Sequence, residues 1–237
     1  MVPTFKTTCL SKLLIAPSVY ELHVEKPTDF SFQPGQFMLF DVPLLDHEND
    51  VQARAYSIAS AGHEQELKFI IKLVPNGRAS QWIKLRVAHG TPITMKGPFG
   101  TFTLDRETKK PYVFIATGTG VAPMRSHILW ALEEQHELRP MHLLFGVVRT
   151  EDMFWEQEWK TLESKHANFH AHFSSLIGGS AWHTGKSSIQ EQLPQIVPDL
   201  SQVSVYICGA PDFVKDLKQR CLEWGMQKSD IHSESYL

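Results

Sequence analysis

Cysteine is scarce in this chain. Of 237 residues only Cys9, Cys208 and Cys221 carry a thiol, and they are widely spaced and odd in number. That argues against a disulfide framework and leaves too few thiolates for a four-cysteine zinc or iron–sulfur set. A reducing cytoplasm is the expected setting. Long apolar runs are missing too: none approaches the ~18 residues a membrane span needs. The opening residues, Met1-Val2-Pro3-Thr4-Phe5-Lys6-Thr7, lack the basic stretch and apolar stretch of a secretory signal. Internal repeats and low-complexity tracts are absent. Neither sign of charge dominates, and the net charge of −3 argues against a dedicated nucleic-acid binder.

What is present is ordinary for a globular chain with a real core: 42% hydrophobic and 21% charged residues, enough for one large domain or two small ones. The charge is uneven. Residues 1–110 carry net +2 and the remainder −5. Between Glu66 and Lys96 stand Lys68, Lys72, Arg78, Lys84, Arg86 and Lys96 against one acid. Such a run is either a solvated strand face or a docking surface for an acidic partner.

The hydrophobic pattern changes near residue 110. Before it, Val19–Val24, Gln36–Val42, Arg54–Ala59, Leu67–Val74 and Pro92–Lys96 read as short strands, with one helix at Ala79–Leu85. Turn signals such as Gln33-Pro34-Gly35-Gln36, Ala61-Gly62-His63 and Pro75-Asn76-Gly77 separate them. This predicts an antiparallel barrel or sandwich. After Lys109-Lys110-Pro111 strands alternate with helices. Tyr112–Thr117, Met141–Val148, Phe169–Leu176 and Val203–Cys208 read as strands, and Val121–Glu134, Trp155–His166 and Asp212–Trp224 as helices. Alternation of that kind implies a parallel α/β sheet. The expected fold is two domains, an antiparallel β-barrel over 1–108 and an α/β domain over 109–237. Ligands of open α/β sheets sit at the carboxyl ends of the strands, so a cleft between the two is the expected site.

Five short segments carry candidate chemistry. In Arg54-Ala55-Tyr56-Ser57-Ile58-Ala59-Ser60, alternation sets Arg54, Tyr56 and Ile58 on one face and Ser57 on the other. Arginine suits a diphosphate through bidentate charge-assisted bonds, and tyrosine offers a flat face and a hydroxyl to a stacked ring system; cross-strand packing is the plainer reading. Gly97-Pro98-Phe99-Gly100 is a rigid turn whose glycines permit close backbone approach. The helix after Gly77 presents N-terminal amides and Ser80, a phosphate-binding arrangement. Gly118-Thr119-Gly120-Val121-Ala122-Pro123 joins a strand to a helix where a pyrophosphate is received, although it lacks the third glycine of the common dinucleotide fingerprint. Cys208-Gly209-Ala210-Pro211 also joins a strand to a helix; a buried cysteine beside a turn accounts for it equally. The tail, Glu234-Ser235-Tyr236-Leu237, is expected to fray, or to lay its aromatic over a ring system.

Together, in this order and over essentially the whole chain, these segments resemble the ferredoxin–NADP reductase family of flavoproteins. The resemblance implies an FAD-dependent oxidoreductase that moves electrons between NADPH or NADH and a separate one-electron carrier. By resemblance, Arg54 and Ala55 hold the FAD diphosphate region, Tyr56 packs on the isoalloxazine, and Ser57 stands near its reactive nitrogen. Ile70, Ile71 and Lys72, with Gly77, Ala79 and Ser80, line the ribityl chain and phosphates, and Gly97 opens the turn after the last barrel strand. Gly118, Thr119, Gly120 and Pro123 form the nicotinamide-nucleotide loop. Cys208 and Gly209 flank the nicotinamide, Glu234 is acidic near the reacting ring, and Tyr236 stacks on the flavin and yields to nicotinamide. Ser57, Cys208, Glu234 and Tyr236 are the expected catalytic set.

Two departures stand out. Relatives specific for NADP carry a Ser-Arg pair for the adenosine 2′-phosphate, whereas this chain reads Ser174-Ser175-Leu176; Ser175, Arg149 and Lys186 are the candidates left for that edge. Tyr236 is followed by Leu237, whereas plant-type relatives end on the aromatic. The implied partner is a small acidic carrier such as ferredoxin or flavodoxin, with free flavin as the alternative acceptor, and a monomer without nucleic acid or membrane span is expected.

Other readings rank lower. A non-catalytic FAD module requires loss of a redox residue, and none is missing. Gly185-Lys186-Ser187 suggests a nucleotide-hydrolase phosphate loop, but Ser180 stands where that loop needs glycine. No metal is expected: His166, His170 and His172 read as surface or satisfied histidines, and Asp46–Asp50 lacks the glycine and glutamate of a calcium loop.

Overall fold

The computed structural model describes residues 2–45, 47, 50–177 and 188–236. Lys186, with the rest of Gly185-Lys186-Ser187, and Leu237 lie outside the described residues, as does part of Asp46–Asp50. The chain divides into two compact units, Met1–Leu104 with Arg125–Trp130, and Asp105–Met124 with Ala131–Leu237.

The first unit is an antiparallel sheet of six strands: β1 (Thr4–Ala16), β2 (Val19–Glu25), β3 (Phe37–Pro43), β4 (Val51–Ser57), β5 (Glu66–Lys72) and β6 (Pro92–Phe99). Their order is β4-β3-β6-β1-β2-β5, and an Ile58–Phe69 bridge joins the continuation of β4 to β5, so the two outer strands meet. Alternation builds the core. Met38, Phe40 and Val42 of β3 point inward, as do Leu67, Phe69 and Ile71 of β5 and Ile93 and Met95 of β6. The helix α1 (Arg78–Leu85) adds Trp82 and Ile83 to the same core.

The second unit is a five-stranded parallel sheet of β7 (Tyr112–Thr117), β8 (Met141–Arg149), β9 (Phe169–Ile177), β10 (Ser204–Gly209) and β11 (Ile231–Ser235), in the order β11-β10-β7-β8-β9. Its helices are α2 (Val121–Leu129), α3 (Glu156–Lys165), α4 (Ile189–Ile196) and α5 (Pro211–Glu223). α2 is divided between the units after Met124. Near-continuous apolar strands, such as Tyr112–Ala116 and Val205–Cys208, are buried on both faces, as parallel strands are.

The two-domain reading, barrel then parallel sheet, agrees with this architecture. Several local expectations do not. The thirteen-residue β1 escaped prediction because Thr, Lys and Ser fill much of it; pairing with both β2 and β6 sustains it. The tail, as far as it is described, is tied down: Ile231–Ser235 is β11, parallel to β10 from Val205↔Ile231 to Gly209↔Ser235. α4 contains Pro194, which hid it, and is opened by a Ser188/Glu191 capping box. The helix expected over Val121–Glu134 keeps α geometry only to Leu129; Trp130–Glu134 continues as a π-helical turn. Among the described residues no helix is long and apolar enough to cross a membrane.

Candidate functional site

Because β7 to β11 run parallel, their carboxyl ends share one edge of the sheet, and most candidate residues of the second unit stand there. Gly118–Gly120 form a tight 3₁₀ turn between β7 and α2. Space within 4 Å of the Cβ position of Gly118 is open. At Gly120 a Cβ would stand 2.5 Å from the Cys208 carbonyl oxygen, so only hydrogen fits between the turn and the end of β10. Thr119 lies in the turn and Pro123 in the first turn of α2, where its missing N–H costs nothing.

The third strand end brings the tail in. Tyr236 N donates to the Gly209 oxygen at 2.9 Å, and Cys208 pairs with Glu234 across β10 and β11. The Cys208 side chain is fully buried. Burial pushes its thiol pKa well up, the nearby Glu234 charge pushes it further, and a hydrogen bond from Tyr236 only partly opposes them. The sulfur therefore stays protonated at neutral pH. Three segments separated by up to 118 positions in the chain — Gly118 to Tyr236 — thus converge on one sheet edge.

Arg149 ends β8, and Ser175 lies two residues before the end of β9. Ser175 is buried, with its hydroxyl 3.2 Å from that of Thr150. Arg149 is exposed and lies 3.6 Å from the Glu151 carboxylate. Leu176 and Ile177 are exposed beside it.

In the first unit, β4 is exposed from Val51 through Ala55, half-exposed at Tyr56 and buried at Ser57. Arg54 uses its guanidinium on neutral groups, the Ala53 oxygen at 2.8 Å and Gln52 Oε1 at 2.7 Å. Tyr56 stands edge-on to Phe40 at 5.2 Å between ring centroids. Burial pushes its phenol up to about 12, against the lowering pull of Arg54, so the hydroxyl remains a donor. Arg78 fastens the first turn of α1 beside β4, donating from Nη1 and Nη2 to the Asp50 carboxylate at 3.0 and 3.2 Å. Gly77 caps that helix, Ala79 and Ser80 lie in its first turn, and Ser80 Oγ accepts from Val74 N at 2.7 Å. Of the β5 candidates, Lys72 is exposed, Ile70 is buried, and the Ile71 side chain belongs to the barrel core. Gly97 lies in β6 before Pro98.

No motif flagged Arg125, Ser126 and His127, although three consecutive polar residues within the apolar helix Val121–Leu129 are a visible irregularity. All three are buried and bond to backbone carbonyls of the first unit, Ala59, Ser60 and Phe102. The histidines regroup as well. His166 caps α3, while His170 and His172 share a sheet face with His142, whose Nδ1 is 3.2 Å from His172 Nε2. Among the described residues no group of three or more His, Cys, Asp or Glu side chains is placed to hold a metal.

Residues 10–104 match the oxidoreductase FAD-binding domain family and residues 114–219 the oxidoreductase NAD-binding domain family. The toluate 1,2-dioxygenase electron transfer component of Pseudomonas putida is 27% identical over 227 residues, covering 96% of this chain and 64% of that protein. Ferredoxin–NADP reductase B of Sorangium cellulosum is 29% identical over 232 residues, 94% of this chain and 93% of that one. In three dimensions the chain resembles a ferredoxin NADP+ reductase from Neisseria gonorrhoeae solved with FAD and NADP, at a TM-score of 0.85 with 21% identity over 98% of both chains. That last likeness is one of fold.

Proposed function

Because this chain belongs to the ferredoxin–NADP reductase family, we propose that it is an FAD-dependent reductase passing electrons from NADPH or NADH to a separate one-electron carrier. Residues 1–108 are assigned to FAD and 109–237 to the nicotinamide nucleotide. The observation that carries this reading is the convergence of Gly118–Gly120, Cys208-Gly209 and Glu234–Tyr236 on one sheet edge.

The donor set suits both groups. Arg54 is a cation whose described partners are neutral, beside a helix start with no acidic residue in its first turn, which suits a diphosphate. The open backbone at Gly118 and the start of α2 suit a pyrophosphate. When bound, FAD supplies the conversion of a two-electron hydride into single electrons. The chain orients. Tyr56 offers its ring face and a protonated hydroxyl. Ser57 is a buried hydroxyl next to it. Cys208 stays neutral, so it would border a bound nicotinamide without adding a charge there. Tyr236, at the β10–β11 edge with Glu234 two residues before it, would be the aromatic that a bound nicotinamide displaces. This placement is where the rate enhancement comes from.

The carrier is acidic in this reading, since no Asp or Glu occurs between Leu67 and Leu104 while six Lys and Arg do. The test is purification followed by steady-state oxidation of NADPH and NADH with ferredoxin, flavodoxin and free flavin as acceptors. Stoichiometric yellow cofactor and reduction of a protein carrier are expected. Reduction of free flavin alone, with no FAD retained, points to a flavin reductase instead; no FAD and no acceptor reduced ends the proposal.

A further inference from the structure

Two chain segments of the first unit flank the residues assigned to the flavin: Ile58–Glu64, directly after Ser57, and Thr101–Leu104, directly after the Gly97–Gly100 turn. Three consecutive residues of α2 bond to them, two to the first segment and one to the second. Arg125 Nη1 donates to the Ala59 oxygen at 2.8 Å, Ser126 Oγ donates to the Ser60 oxygen at 2.7 Å, and His127 Nε2 donates to the Phe102 oxygen at 2.9 Å. Arg125 is 3% exposed and the other two are fully buried.

Burying a guanidinium, a hydroxyl and an imidazole in succession is costly unless each finds a partner. Here each finds a backbone carbonyl in a segment distant in sequence, and Arg125 a carboxylate as well. Core packing alone needs none of them; apolar residues at these positions would fill the space without that cost. Bonds of this type define where a backbone sits to within a few tenths of an ångström, because N–H···O and O–H···O contacts tolerate little stretching.

The surroundings reinforce the same two segments. Glu64 receives the Arg125 fork at 2.7 and 3.0 Å, accepts from Ala61 N at 2.7 Å, and pairs with Lys68 Nζ at 3.0 Å. Ile58 N donates to the Gln36 oxygen and Ala59 N to the Lys68 oxygen. Gly35 has φ +90°, and a Cβ there would stand 1.8 Å from the Phe102 oxygen and 2.3 Å from His127 Nε2. The Gln33–Gln36 turn is thus backed directly onto the His127–Phe102 bond, leaving no slack for either segment.

We propose that Arg125, Ser126 and His127 are positioning residues for the flavin: without touching it, they set the backbone of Ser57–Ser60 and of the segment after Gly100, and through these the geometry and affinity of the FAD site. This rests on the functional reading above, which assigns Tyr56, Ser57 and Gly97 to the flavin.

The experiment compares wild type with Ser126→Ala, Arg125→Lys and Arg125→Met. The readouts are FAD dissociation constant by fluorescence, the vibrational structure of the visible flavin band, melting temperature of the FAD-free protein, and kcat and KM for NADPH and NADH. Loss of one buried hydrogen bond in Ser126→Ala is expected to weaken FAD binding roughly tenfold and to blur the flavin band, measured well below the melting temperature. Arg125→Lys keeps the charge opposite Glu64 and should fall between wild type and Arg125→Met in FAD affinity. kcat should drop in all variants with KM for the nicotinamide nucleotide unchanged.

A purely structural role gives a different pattern: lower melting temperatures with FAD affinity and spectrum as in wild type. That result overturns the inference and leaves the proposed function standing. Wild-type protein that takes up no FAD at all removes the functional reading, and this inference with it.

Discussion

Arg125 and Glu64 form a two-point ion pair at 2.7 and 3.0 Å, with the guanidinium 4% and the carboxylate 18% exposed as side chains. Neither charge has water enough to stand alone. Breaking such a pair from one side leaves the other charge buried, which is why the loss exceeds the net worth of the pair itself.

Arg125→Met should therefore lower stability by about 3–5 kcal/mol. Chemical denaturation of the FAD-free protein checks this through the midpoint at constant slope. An unchanged midpoint would show that Glu64 finds another partner. Arg125→Lys should recover part of the loss.

The same pair gives a pH dependence with a definite sign. Burial raises the Glu64 pKa, but the Arg125 hydrogen bonds and charge overcome it and hold the carboxyl at about 2, below 4.5. The folded value lies below the unfolded one, so the stabilisation is complete above pH 4.5 and fades as pH falls towards 2. In melting curves across that window, wild type should lead Glu64→Gln at neutral pH and the gap should close on acidification. A gap independent of pH would contradict the assignment.

His172 adds a second loss of stability on acidification, in a higher pH window. Burial lowers its pKa first, and the neighbouring imidazoles of His142 and His170 lower it further, to about 4. The fold favours the neutral ring, so stability present above pH 6.5 is lost as pH falls from 6.5 towards 4. Replacing this residue in His172→Gln should flatten the decline of melting temperature over that interval.

All three cysteines are buried and free. Burial raises the pKa of each thiol, that of Cys221 to about 12. Since the thiolate is the reactive form, a disulfide reagent at pH 8 should find almost no thiol in the native protein and three in denaturant. Rapid native labelling of Cys208 would show that the β10–β11 edge opens.

Gly120→Ala tests the sheet edge. A Cβ 2.5 Å from the Cys208 oxygen forces the turn or the strand to move. Displacement of that size should cost roughly tenfold to a hundredfold in kcat/KM for the nicotinamide nucleotide, with FAD retained. Loss of FAD and nucleotide turnover together would instead indicate general unfolding of the chain.

The sequence by itself determined the class of each half. Period-two alternation with turn residues specified antiparallel strands before about residue 110, and continuous apolar runs separated by amphipathic stretches specified a parallel sheet after it, because side-chain periodicity follows backbone geometry directly. It also determined the strand-to-helix turns at Gly118–Gly120 and at Gly209, where Gly120 and Gly209 leave no room for a Cβ. Tertiary structure decided the rest. β1 and β11 exist because neighbouring strands complete their hydrogen bonds, not because their own residues are strongly apolar. Ile71 was drawn into the core by the pleat, one residue from buried Ile70. Arg125, Ser126 and His127 look like three misplaced polar residues until Ala59, Ser60 and Phe102 are brought to them. A hydrogen-bond partner tens of positions away leaves no periodic trace in a chain, so the residues that hold these three carbonyls became visible only once it was folded.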